Sequence, residues 1–168
     1  MNRTRKITAA AMMAAVAAVL LYLAQVMPTV RLSLIAAAGI AGAVVTAQYG
    51  PVWGIMSFAA AALISLLTAP VSDWMYIVFF GWYPAVKSWI ERLDRRFEWP
   101  LKLAAFNAAF FVLWFLLPAV LAEMLPKLAG LFWVLFLGGN AAFVVYDFAL
   151  SGLLRVLIQN LLPKIRKN

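Results

Sequence analysis

The feature that most constrains this chain is a succession of long apolar runs with few charges inside them. The first runs from Ile7 to Met27 and holds no charged residue. A spanning helix needs about 20 mostly apolar residues. Two thirds of all residues (67%) are hydrophobic and only 12% are charged, with a mean hydropathy of +0.96. A water-soluble domain of 168 residues could not hide that much apolar surface, because its exterior would have to be apolar as well. The reading is an all-α, polytopic integral membrane bundle, with one transmembrane domain covering residues 1–168.

Breakers between the runs predict six helices, at about 7–27, 32–48, 52–68, 73–91, 101–121 and 130–161. Pro28 ends the first, and Gly50-Pro51 separates the second from the third. The third ends near Thr68-Ala69-Pro70. Pro84, after Gly81 and Tyr83, predicts a kink within the fourth. Pro118 lies near the end of the fifth. The sixth is longer than one membrane thickness needs. The first run follows Arg3, Arg5 and Lys6, as in a signal peptide, but it exceeds a typical apolar signal region and reads as a retained helix.

Charge placement supports the count. With the N-terminus inside, the cytoplasmic segments hold Arg3, Arg5 and Lys6, then Lys87, Arg92, Arg95, Arg96 and Lys102, then Lys164, Arg166 and Lys167. The outer loops hold Arg31 and Lys127, and Arg155 lies within the last helix. An even number of helices with both termini cytoplasmic satisfies the positive-inside rule. The same rule accounts for the net charge of +8 without a nucleic-acid partner.

The chain has no cysteine and no histidine. Disulfides, thiolate metal sites and imidazole acid–base chemistry are therefore excluded. Its acidic residues are dispersed, and no Gly-rich phosphate loop or metal-spaced acidic motif occurs. Nothing in the sequence asks for a cofactor or a metal, and nothing points to an enzyme.

In the first helix Ala10, Ala14 and Ala18 recur every four residues, as do Ala11 and Ala15. Small residues at that spacing make a flat stripe on which another helix packs closely. The stripe suits either internal packing or a partner. Lys87 and Glu91, four apart, can pair along the fourth helix. Asp147 and Arg155 share a face of the sixth, and Asp147 could meet Lys87 across the bundle. These four read as structural polar groups, with a gating role as the alternative. Arg31, Asp73, Trp74, Tyr76, Trp114 and Trp133 mark the outer ends, with Asn140 deeper. They form either an interfacial aromatic belt or a ligand cup in which Arg31 meets an anionic group. Asn107 reads as an interhelical hydrogen-bond donor.

Several features together resemble the substrate-binding S components of energy-coupling factor transporters. They are the basic N-terminus before an Ala-x-x-x-Ala helix, six short helices, the turn Gly50-Pro51-Val52-Trp53-Gly54, and the late Tyr146-Asp147-Phe148-Ala149-Leu150-Ser151. The resemblance implies a subunit in a prokaryotic plasma membrane that captures a vitamin-like solute. It implies a transmembrane coupling subunit and cytoplasmic ATPases as partners. It also implies docking through Ala10 and Ala14, with Ala11 and Ala15 as the neighbouring register. The S components for cobalt and nickel depend on histidine, so transition-metal uptake does not fit this chain. The competing reading is a small membrane scaffold of the cell envelope that binds no solute.

Overall fold

A computed structural model describes residues 3–68, 74–116 and 132–160, and all of their regular structure is helical. Six α-helices follow in order: α1 (Arg3–Val26), α2 (Arg31–Tyr49), α3 (Pro51–Thr68), α4 (Tyr83–Ile90), α5 (Arg95–Leu116) and α6 (Phe132–Asn160). A short 3₁₀ turn, Pro28–Val30, precedes α2, and a π-type turn, Tyr76–Phe80, precedes α4. The expected all-α class is what the fold shows. Among the described residues, four stretches are long and apolar enough to cross a membrane: Arg3–Val26, Pro28–Tyr49, Pro51–Thr68 and Phe132–Val156. Large apolar side chains such as Met12, Leu63, Leu67, Leu137 and Val145 stand exposed, as suits a protein embedded in lipid.

The chain forms two compact units, Met1–Asp94 and Arg95–Asn168. In the first, α1, α2 and α3 pack against one another, and the π-type turn and α4 pack on α2. Most of their facing residues are small, Ala14, Ala17 and Ala24 of α1, Ala38 and Ala41 of α2, Ala61 and Ala62 of α3, joined by Leu21 and Ile35. Between apolar helices in lipid the attraction comes from close backbone approach, which small side chains permit. Ser57 Oγ on α3 donates to the Ala10 carbonyl of α1 at 3.1 Å, tying the two backbones together.

Gly50 makes the sharp reversal between α2 and α3. Its φ of 98° is a conformation that a Cβ opposes, and Pro51 then opens α3 at its first position. One turn on, Gly54 lies so close to Thr46 that a Cβ there would fall 1.9 Å from Oγ1 and 3.4 Å from the Thr46 Cα. The Thr46 hydroxyl is itself committed, donating to the Gly42 carbonyl at 2.9 Å.

The predicted fourth helix is interrupted. Gly81 N–H bonds to the Tyr76 carbonyl at 2.8 Å, one residue further back than an α-helix allows, and the chain bends at Gly81-Trp82. The Phe58 ring lies against Gly81 in the space a side chain would take. Trp82 Nε1 donates to the Val78 carbonyl at 2.7 Å. Pro84 therefore does not kink a continuous helix. It sits in the first turn of a new one, α4, where its missing N–H costs little.

The second unit pairs α5 with α6. Contacts run in reverse order along the two helices: Trp99 with Phe148, Phe106 with Phe143, Phe110 with Phe136 and Trp114 with Phe132. The helices are thus antiparallel over about 22 Å, at 1.5 Å per residue. The fifth helix starts at Arg95 rather than at Leu101 and runs through Pro100. Proline there, in the second turn, has no N–H for the Arg96 carbonyl, so the helix runs on with that bond missing. Asp73, the predicted continuation 117–121 with Pro118, Lys127 and the basic residues 164–167 lie outside the described residues.

Candidate functional site

The topology of the first unit sorts its chemistry to two ends. Lys6 Nζ of α1 lies 5.9 Å above the Trp53 ring at the start of α3, so the α1 N-terminus and the Gly50 turn share one end. Tyr76 joins the core cluster of Ile35 and Ala38, whereas Gly81 lies against Gly42. The bent segment therefore descends alongside α2, and α4 finishes at the Gly50 end. That end gathers Arg3, Arg5, Lys6, Lys87 and Arg92. The opposite end carries Arg31 at the first position of α2 and Trp74 beyond α3.

Of the candidate ligand residues in this unit, Arg31 and Trp74 are half-buried. Tyr76 is not a cup residue. It is 1% exposed in the core cluster, with its ring 5.6 Å from that of Phe58. Its place near the outer end of the predicted fourth helix suggested a belt or a cup, but its ring is in the core.

The alanine stripe divides. Ala14 is 1% exposed, and Ala10, Ala17 and Ala18 are buried with it. Ala10 and Ala14 are thus used by the protein's own α2 and α3, and they are not available to a partner. Ala11 and Ala15, one position on, remain exposed. Sequence spacing offered both registers equally. Only the positions of α2 and α3 distinguish them.

Lys87 is enclosed, and its Nζ meets Glu91 Oε1 at 2.8 Å, the expected i,i+4 pair. Lys before Glu is the weaker order on an isolated helix, but burial of the lysine favours any nearby carboxylate.

In the second unit the polar groups lie along the seam of the helix pair. Asn140 Nδ2 donates to Asn107 Oδ1 at 3.0 Å and to the Phe136 carbonyl at 2.8 Å. Asn107 is an interhelical partner as expected, but as acceptor rather than donor. Toward the α5 N-terminus, Lys102 Nζ lies 3.1 Å from Asp147 Oδ2 and 2.7 Å from Glu98 Oε1. It also sits 5.5 Å over the Trp99 ring. Ser151 donates to the Asp147 carbonyl at 2.7 Å. Lys102, expected among the cytoplasmic charges, is therefore buried in the seam of the helix pair. Arg155, two turns beyond Asp147, is exposed.

Trp114 and Trp133 fall at the other end of this pair. Trp114 stacks on Phe110 and meets the Phe132 ring edge-on at 4.9 Å. Trp133, 71% exposed, touches Phe132 and Phe136. These tryptophans belong to a local aromatic cluster whose phenylalanines the sequence reading had not singled out. Four residues between Phe110 and Trp114, and between Phe132 and Phe136, is the signal that would have found it.

Among the described residues, no group of three His, Cys, Asp or Glu side chains could hold a metal ion. Compared with protein-family models, curated proteins and solved structures, the chain matches none.

Proposed function

We propose that the chain is the membrane-embedded solute-capture subunit of an energy-coupling factor type transporter, binding a vitamin-like small organic molecule. In this reading it lies in a prokaryotic plasma membrane with both termini cytoplasmic. It has no catalytic role, and a transmembrane coupling subunit with cytoplasmic ATPases supplies the energy.

The observation that carries the reading is the division of α1. Ala10 and Ala14 close the internal core, yet Ala11 and Ala15 still present a small-residue edge on the outside of the same helix. A coupling helix could approach there without displacing any core contact. The collection of basic residues at one end of the first unit supports the orientation, because cytoplasmic ends carry the excess of Lys and Arg. Arg31 then faces the outside with Trp74, and it suits an anionic group on the solute.

A second reading, a membrane scaffold of the envelope, is favoured by the enclosure of Tyr76 and by the packing of Trp114 on its neighbouring rings. Both remove a wall from the expected cup. Purifying a tagged protein from host membranes separates the two. Co-purifying ATPases, lost in Ala15→Trp, support the transporter. Envelope enzymes in their place support the scaffold.

A further inference from the structure

We infer that the Gly50 end of the first unit is a docking surface for anionic phospholipid headgroups. The fold brings to this end side chains from two separate stretches of chain: Arg3, Arg5 and Lys6 from the start of α1, and Lys87 and Arg92 from α4 and the turn after it. Two carboxylates accompany these five cations. Glu91 is held by Lys87, and Asp94 is exposed. With the lysine–glutamate pair neutralised, Arg3, Arg5, Lys6 and Arg92 stand against the charge of Asp94.

Depth is set by chemistry on the same end. Lys6 lies over the Trp53 ring, and tryptophan with lysine is the pairing that settles at the headgroup level. Arg3 and Arg5 begin α1 just beyond Lys6 and are exposed. Ile7, Met12 and Met56 follow on the other side of that level, also exposed. A phosphodiester near the arginines would therefore have apolar helix surface beside it for its acyl chains. Arginine suits this role because its planar fork gives two hydrogen bonds to one phosphate. The inference concerns lipid and does not depend on which solute, if any, the protein captures.

The test is native mass spectrometry of the full chain in detergent, with equal amounts of phosphatidylglycerol and phosphatidylcholine bearing the same acyl chains. Three proteins are compared: the natural chain, a triple variant Arg3→Gln, Arg5→Gln and Arg92→Gln, and a triple Arg→Lys variant at the same positions. The natural chain should retain phosphatidylglycerol several-fold over phosphatidylcholine. The glutamine variant should fall toward parity, since a basic residue near an anionic surface contributes up to about fivefold. The lysine variant should keep most of the preference. Equal retention of both lipids by the natural chain overturns the inference. So does an undiminished preference in the glutamine variant.

Discussion

Lys102 of α5 and Asp147 of α6 meet at 3.1 Å with side chains only 2% and 3% exposed, which joins the two antiparallel helices by a charge pair that water hardly reaches. Glu98 supports the lysine from one turn earlier. Breaking such a pair from one side leaves a charge with no compensation in a low-dielectric setting. Removing both partners leaves only Glu98, whose carboxylate is 27% exposed.

Lys102→Met should therefore lower stability by about 3–5 kcal/mol, read from denaturant or thermal unfolding in detergent. The double variant Lys102→Met with Asp147→Leu should recover most of that loss. Little loss in the single variant, or no recovery in the double, would contradict this account of the pair.

Gly54→Ala should destabilise by about 1–3 kcal/mol, because the added methyl forces α3 away from Thr46. Thr46→Ala removes the hydroxyl that the methyl meets first, so the double variant should be more stable than the sum of the single effects. Simple additivity in the unfolding measurement would place the two residues out of contact.

Ala14 and Ala15 should behave oppositely although they are neighbours. Ala14→Trp drives an indole into the packing of α1 on α2 and α3, and folded protein should be largely lost in size-exclusion chromatography. Ala15→Trp should fold normally and, on the transporter reading, lose its partners. A folded Ala14→Trp protein would contradict the burial of that face.

A double-mutant cycle on Asn107 and Asn140 should give a coupling near 0.6 kcal/mol, and at most about 1.7, the range for side-chain hydrogen bonds between membrane helices. Zero coupling between Asn107→Leu and Asn140→Leu would remove the bond from the account of how α5 and α6 associate.

The sequence reading succeeded where breakers and apolar length act alone. Pro28 and Gly50-Pro51 fix the limits of α1, α2 and α3 by local backbone chemistry, and the structure ends those helices there. It failed where tertiary packing decides. The fifth helix is predicted from about Leu101, yet α5 begins at Arg95 and runs through Pro100. The later start left Glu98 outside the helix and Lys102 among the cytoplasmic charges, although Glu98 lies four residues before Lys102 in the favourable Glu-to-Lys order. In the same way, Gly81 offered less of a signal than Pro84, but the break falls at Gly81-Trp82, where Phe58 fills the space left by the missing side chain. Ala10 and Ala11 are equivalent in the sequence, and only neighbouring helices assign one to the core.

Arg31→Ala tests the ligand end of the proposal. It should weaken binding of an anionic solute about tenfold or more, the scale expected when a hydrogen bond to a charged group is lost. Identical affinities by calorimetry would remove Arg31 from the site.

The central claim is that this protein holds a small organic solute, and native mass spectrometry of protein gently extracted from its own host membranes tests it most directly. The account predicts a retained molecule of vitamin-like mass, released when the protein is unfolded. Protein that is empty and bound only to envelope enzymes would contradict it and support the scaffold reading.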